Sequence, residues 1–209
     1  MKLIIVRHGQ TDHNATGTHM GQLDVPLNSH GVEQAELVAA RLAHEKIDAV
    51  YSSDLQRAYV TAQQIAQFHP GLTVITDPLL RERNVGVLTG QPIQPEDSIR
   101  KSRSGGINRS KRPQNGESID DVKARATDWL QKTLTQHADD TVLVASHGLF
   151  LYILLEVAVE QGADVDREDF ILANTSVTVL DVHPEGRATI VHLNDTQHLA
   201  GMSGGTKEA

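Results

Sequence analysis

The 209-residue chain contains no cysteine. Disulfides, thiol nucleophiles and thiolate metal sites are therefore excluded. Aromatic residues are scarce, with three Phe, three Tyr and one Trp, too few for a platform on which nucleobases stack. Basic charge is also in short supply. Nineteen Lys and Arg stand against 27 Asp and Glu, for a formal net charge of −8. A general nucleic-acid binder shows the opposite balance, so no nucleic-acid partner is expected. Long apolar runs are missing as well. The longest, Leu149 to Val159, carries Glu156 and is too short to span a bilayer. Only Leu3 to Val6 precede Arg7, too little for a secretory leader. No membrane partner is expected, and the sequence reads as a soluble, cytoplasmic protein. There is no Walker A loop and no H-E-x-x-H, which removes two common phosphate- and metal-handling motifs.

What is present is 39% hydrophobic residues, enough for one sizeable core at this length. The expectation is a single domain over Met1–Leu199, with 200–209 as a disordered tail. Six segments read as strands: Lys2–Val6, Ala49–Tyr51, Leu72–Ile75, Thr141–Ala145, Ser176–Val182 and Ala188–Leu193. Between them lie helical patterns. One places Val32, Ala35, Val38, Ala39 and Leu42 on a face. A second opens at Ser53, with Gln56 three residues on as a capping box, and runs to about Phe68. A third has Ser118 as N-cap and Ile119, Val122, Ala126, Trp129 and Leu130 as its apolar stripe. A fourth starts near Leu149. This alternation predicts an α/β fold, a three-layer α/β/α sandwich around a mostly parallel sheet.

The chemistry concentrates at strand ends. Val6-Arg7-His8-Gly9 follows one buried strand and Ser146-His147-Gly148 follows another. Ligands of open parallel sheets bind beyond the carboxyl ends of the strands. If these two strands are neighbours, both histidines face one crevice. Gly148 also opens a helix, whose free amides favour an anion. A third strand leads through Ser52-Ser53-Asp54-Leu55-Gln56 to Arg57 in the first turn of a helix. A cation is badly matched to that end of the helix dipole, and an arginine required at the crevice mouth explains it better than a surface ion pair.

Arg7-His8-Gly9-Gln10-Thr11 with Asn14 resembles the signature of the histidine phosphatase superfamily, the phosphoglycerate mutase-like enzymes. The resemblance continues through Gly21, Asp24, Pro26, Leu27 and Gly31. It then takes in Ser52-Ser53-Asp54-Leu55 with Arg57, Ala58, Thr61 and Ala62, followed by Leu80-Arg81-Glu82 with Gly86, Gly116-Glu117-Ser118 and Ser146-His147-Gly148. It implies His8 as the nucleophile that takes the phosphoryl group. Arg7 and Arg57 would clamp the phosphoryl oxygens, with His147 and Asn14 as further donors and Gly21 and Gly148 at the substrate. Glu82 would be the general acid for the leaving oxygen and then the base for water; taken alone, Arg81-Glu82-Arg83 could equally be an ordinary exposed stretch. No metal and no cofactor is implied, since arginines and histidines supply the positive field.

The resemblance points to a phosphatase acting on a small phosphorylated metabolite. Glu82–Gly90 lacks the longer substrate-holding stretch of the mutases, and Leu88-Thr89 stands where many relatives have an aromatic and an acid. The alternatives are a cofactor-dependent phosphoglycerate mutase, or a non-catalytic binding protein on the same fold, against which the full residue set weighs. An insertion at about 89–116 is expected to fold over the crevice as a lid. Its Ser98–Arg112 part holds Arg100, Lys101, Arg103, Arg109, Lys111 and Arg112 and no acid, a charge that would attract a multiply charged anion or only keep a loop solvated. Gly201-Met202-Ser203-Gly204-Gly205 fits G-x-S-x-G but lacks the preceding strand of a nucleophile elbow. Asn14, Asn108 and Asn174 begin glycosylation sequons that mean little without a secretory leader.

Overall fold

In a computed structural model of the protein, residues 1–94, 109–159 and 167–202 are described. The chain runs β1 (Lys2–Arg7), α1 (Asp12–Thr16), α2 (Ser29–Leu42), β2 (Ala49–Ser52), α3 (Gln56–Ala66), β3 (Val74–Thr76), α4 (Ile119–Gln136), β4 (Thr141–Ser146), α5 (Gly148–Ala158), β5 (Val177–Val182) and β6 (Ala188–Asp195). The strands form one sheet in the order β3-β2-β4-β1-β5-β6. The first four in that order are parallel, while β5 runs antiparallel to β1 and β6 antiparallel to β5. The sheet is thus mixed, with its parallel part around the two histidine-bearing strands.

Alternation along the strands divides the core in two. Leu3 and Ile5 of β1 with Val142 and Val144 of β4 face α4 and α5. Ile4, Val6, Leu143 and Ala145 face α2 and α3. Both sheet faces are covered, which is why β1 and β4 read as unbroken apolar runs. α5 is apolar nearly all round and is buried from Phe150 to Leu155, as expected of a helix enclosed by its neighbours.

Two local expectations are corrected. Ser53 is not the cap of α3. Its Oγ accepts from Leu55 N two residues on, and the helix begins at Gln56, whose amide instead donates to Asp24 Oδ1 at 2.7 Å. The carboxylate of a distant loop thus replaces the local hydroxyl. The short helix α1, capped reciprocally by Thr11 and Asn14, was not anticipated; five residues give too little periodicity to read. Ser118 does cap α4, in a box with Asp121. No helix among the described residues is long and apolar enough to cross a membrane.

Of the expected basic lid, 95–108 lie outside the described residues, as do 203–209 of the expected tail. Residues 109–112 lie along the start of α4. The Arg109 carbonyl accepts from Ile119 N and its side chain pairs with Glu156, while Arg112 pairs with Asp121. Residues 86–93 run against 17–19, with a bridge between Thr18 and Pro92.

The turn after β1 is set by a backbone approach. Gly9 lies against Gly31 at the start of α2, and Gly31 against Gln10. A Cβ at Gly9 would sit 2.4 Å from the Gly31 oxygen, and one at Gly31 2.0 Å from the Gln10 oxygen. Neither oxygen belongs to a side chain that could swing aside. Gly31→Ala should therefore push the turn that carries His8 away from α2. The overpacking should cost about 3 kcal/mol, lowering Tm by roughly 6–12 °C in thermal unfolding. An unchanged Tm would show that the approach is relieved without strain.

Candidate active site

β1 and β4 are hydrogen-bonded neighbours with Arg7 opposite Ser146. His8 N continues the ladder to the Ser146 oxygen at 2.9 Å. His8 and His147 therefore leave the sheet side by side, with ring centroids 5.2 Å apart. β2, on the other side of β4, delivers Arg57 to the same crevice from the second position of α3.

His8 is 2% exposed. Its Nδ1 lies 2.6 Å from the Gly9 oxygen, a partner that can only accept, so Nδ1 carries the proton. Nε2 is left with a lone pair, and no described residue hydrogen-bonds to it. Burial, reinforced by Arg57 and Arg7, holds the ring well below the usual histidine value of 6.5, against a weaker opposing pull from the Gly9 bond. The turn is pinned from several sides. Thr61 Oγ1 accepts from Gly9 N and donates to the Arg57 oxygen. Gln34 Oε1 accepts from Gln10 N, and Asn174 Nδ2 donates to the His8 oxygen at 2.8 Å.

Arg57 is fully buried. Nη1 donates to the Leu23 oxygen, Nη2 to the Gly21 oxygen and Nε to His147 Nδ1 at 3.2 Å. No carboxylate among the described residues forms an ion pair with it, and burial pulls its pKa down against the support of Glu82 and Asp24. Since Arg57 is a donor only, His147 Nδ1 must accept. The His147 proton therefore sits on Nε2, which is buried without a hydrogen-bond partner. Burial first, then Arg57, keeps this ring neutral too. A desolvated cation and an orphaned N–H donor beside a neutral imidazole leave a charge and a donor that an anion with several oxygens would satisfy.

Arg7 donates from Nη1 to the Leu172 oxygen at 2.6 Å, and its guanidinium lies over Gly148. A Cβ at Gly148 would meet Arg7 only at ordinary contact distance, 3.5 Å from Nε, so space alone does not demand glycine there. Gly21 adopts φ +53° and turns its carbonyl to Arg57. Asn14 commits Oδ1 to Thr11 and keeps Nδ2 as its donor end.

Glu82 reaches the site by an unexpected route. Its carboxylate accepts from Leu149 N at 3.1 Å, Phe150 N at 3.2 Å and Arg83 N at 2.8 Å. The start of α5 does hold acidic oxygens, but they belong to this side chain. Gln22 Nε2 donates to the Glu82 oxygen, and Arg81 forms a two-pronged ion pair with Asp54. Asn174 and Arg125 were missed by sequence reasoning. Asn174 had looked like a sequon. Arg125 carried a usable signal, since it stands three residues after Val122 and four before Trp129, in the buried stripe of α4. Among the described residues no three His, Asp or Glu side chains converge as a metal site.

A parallel strand pair thus presents two neutral histidines beside a buried arginine and a tethered glutamate, an arrangement suited to an anionic ligand such as a phosphoryl group. The family model described as histidine phosphatase superfamily (branch 1) matches residues 3–196, and the chain belongs to that superfamily. It is 37% identical over 203 residues to phosphoglycerate mutase-like protein 4 of Arabidopsis thaliana, covering 95% of this chain and 86% of the relative. It is also 37% identical over 207 residues to the probable phosphoglycerate mutase GpmB of Yersinia pestis, covering 95% of both. Among solved structures, mycobacterial glucosyl-3-phosphoglycerate phosphatase superposes with a TM-score of 0.76 at 28% identity, over 93% of this chain and 99% of that one. A mutant of the phosphoserine phosphatase of Entamoeba histolytica, in complex with phosphoserine, gives 0.76 at 27%, over 95% and 98%.

Both imidazoles are held neutral below 6.5 in the folded chain, whereas in the unfolded chain they protonate near that value. Below 6.5 the unfolded chain binds more protons, so this contribution to stability is complete above 6.5 and is lost as the pH falls toward the depressed folded values. Denaturant unfolding at a series of pH values should show stability falling below 6.5, and the fall should be shallower in His147→Asn. In NMR titrations of the ligand-free protein, neither His8 nor His147 should titrate near 6.5. A midpoint at 6.5 for either ring would overturn the neutral-pair description.

Proposed function

We propose that the protein is a phosphatase that hydrolyses phosphate monoesters of small metabolites through a phosphohistidine on His8. The observation that carries this reading is the fixed tautomer of His8: with Nδ1 tied to the Gly9 oxygen, the lone pair of Nε2 is left for phosphorus. In the first step Nε2 attacks phosphorus and the bond to the leaving oxygen breaks. Glu82 gives that oxygen a proton. Arg57, Arg7 and the His147 Nε2 proton receive the equatorial oxygens, whose charge is redistributed in the transition state. In the second step water attacks phosphorus, the P–N bond breaks, Glu82 takes the proton from water, and orthophosphate leaves.

The buried guanidinium explains why an anion is drawn in. Arg57 spends three of its five N–H donors on two carbonyls and a histidine, none of which neutralises its charge, and keeps two for an anion. The positive field in this reading comes from side chains, so turnover needs no metal. The reaction is placed in the cytoplasm, on a diffusing phosphorylated metabolite. Its substrate class is supported by the phosphoserine and glucosyl-3-phosphoglycerate phosphatases among the structural neighbours. The mutase names of the sequence relatives favour a second reading, in which a substrate hydroxyl replaces water in the second step. Acceptor competition separates the two: a hydrolase releases orthophosphate at the same rate with or without added phosphoglycerate hydroxyls.

Two experiments test the assignment. Brief incubation of the wild type with 32P-labelled substrate in EDTA should trap acid-labile, base-stable label, while His8→Ala should trap none and lose several powers of ten in turnover. Label persisting in His8→Ala would place the nucleophile elsewhere. Glu82→Gln should slow an alkyl phosphate about 100-fold or more, and p-nitrophenyl phosphate far less, because a good leaving group needs little proton donation. Equal losses on the two substrates would reduce Glu82 to a substrate-positioning group.

A further inference from the structure

Arg125 uses every N–H donor it has. Nη1 donates to the Leu79 and Arg81 oxygens, both at 2.6 Å. Nη2 donates to the Glu82 oxygen at 3.1 Å and to Glu117 Oε2 at 3.2 Å, and Nε to Glu117 Oε1 at 3.0 Å. A guanidinium has five such hydrogens in a rigid plane, and here all are committed. Three of the five bonds end on the backbone of the segment that carries Glu82. The guanidinium also lies 5.0 Å from the centroid of the Phe150 ring, and the Phe150 amide is one of the three that hold the Glu82 carboxylate.

Glu117 completes the clamp. Its Oε2 accepts from Asn84 N, its main chain exchanges with the Asn84 oxygen, and its own oxygen accepts from Arg83 Nε. Ser146 Oγ, at the end of β4, donates to the remaining carbonyl, that of Leu80. Residues 81–84 belong to no helix or strand, so regular structure does not fix where Glu82 stands. Side chains from α4 and β4 do so together with Glu117 and Gln22, and Arg125 supplies three of these contacts.

We propose that Arg125, braced by Glu117, is a positioning residue for the acid–base carboxylate, and that its loss misplaces Glu82 rather than disabling His8. The proposal rests on the reading of Glu82 given above. A displacement near 1 Å at a reacting group can cost about 100-fold. The loss must appear in the step that needs the proton. A lysine would keep the charge but offers a point cation with three donors and cannot span the three carbonyls and the carboxylate together.

The test is a double-mutant cycle read as the ratio of kcat for p-nitrophenyl phosphate to kcat for phosphoserine, an alkyl phosphate. Arg125→Lys should raise this ratio about 30-fold with little change in KM, and it should still trap the phosphohistidine from the aryl substrate. Glu82→Gln should raise the ratio at least as far, and the double variant should go no further than Glu82→Gln alone. A purely structural Arg125 would lower Tm and slow both substrates together. Equal slowing, or a ratio that multiplies in the double variant, overturns the proposal. If Glu82→Gln itself leaves the ratio unchanged, the acid–base reading fails and the positioning role fails with it. Should Arg125→Lys not fold, Glu117→Gln carries the test: it keeps the arginine but loosens its brace, and should raise the ratio by a smaller factor. No rise would count against the proposal.

Discussion

The contact on which this site depends is the one from Arg57 to His147. Taking a guanidinium wholly out of water is costly unless its donors are satisfied and its charge is met. The fold supplies partners for three of the donors, the Gly21 and Leu23 oxygens and the imidazole Nδ1, but no paired carboxylate among the described residues. One hydrogen bond thereby does two things. It orients the arginine, and it dictates which nitrogen of His147 holds the proton. That proton then points into the site without an acceptor. The free protein is left with an electrostatic and a hydrogen-bonding deficit at the same place, and an anion with several oxygens would remedy both.

The surroundings follow from keeping these groups still. His8 is fixed through its own backbone, by Asn174 on its carbonyl, by the Thr61 bond to the next amide and by the tight approach of Gly9 to Gly31. Glu82 is fixed by the amides at the start of α5 and by the Arg125 clamp. Dipole and carboxylate agree at the start of α5, where negative charge is favoured. The same helix start bears His147 as its N-cap residue. Two of the four principal groups therefore share one helix end, and a shift of α5 would move them together.

Much of the layout was legible in the sequence because it is periodic. β1 and β4 are continuous apolar runs ending in histidine, and all six strands lie within a few residues of their expected places. Arg57 betrayed itself by sitting at the wrong end of a helix dipole. Ser118 was readable because its partner, Asp121, is three residues away. What escaped was long-range. Ser53 and Gln56 had the spacing of a capping box, yet Asp24 takes the helix amide from a distant loop. Nothing near Glu82 in the chain announces that Leu149 and Phe150 will hold its carboxylate. Arg125 was visible only as a charge in an apolar stripe, and Asn174 matched a sequon while serving the backbone of His8. Such partners are chosen by the folded topology, and their spacing along the chain carries no period.

The position of β1 bears on how the protein comes into being. This strand is made well before either of its two neighbours, β4 and β5, which begin at Thr141 and Val177. It must wait, unpaired and strongly apolar, until those two segments have been made. Pairings so distant in sequence carry a large loop-closure cost and form slowly. His8 and His147 meet only when that pairing closes. Partly folded chains therefore lack the site altogether, and the emergence of activity during biosynthesis coincides with completion of the sheet. The interval before it is when the exposed Leu3–Val6 strand is most open to aggregation.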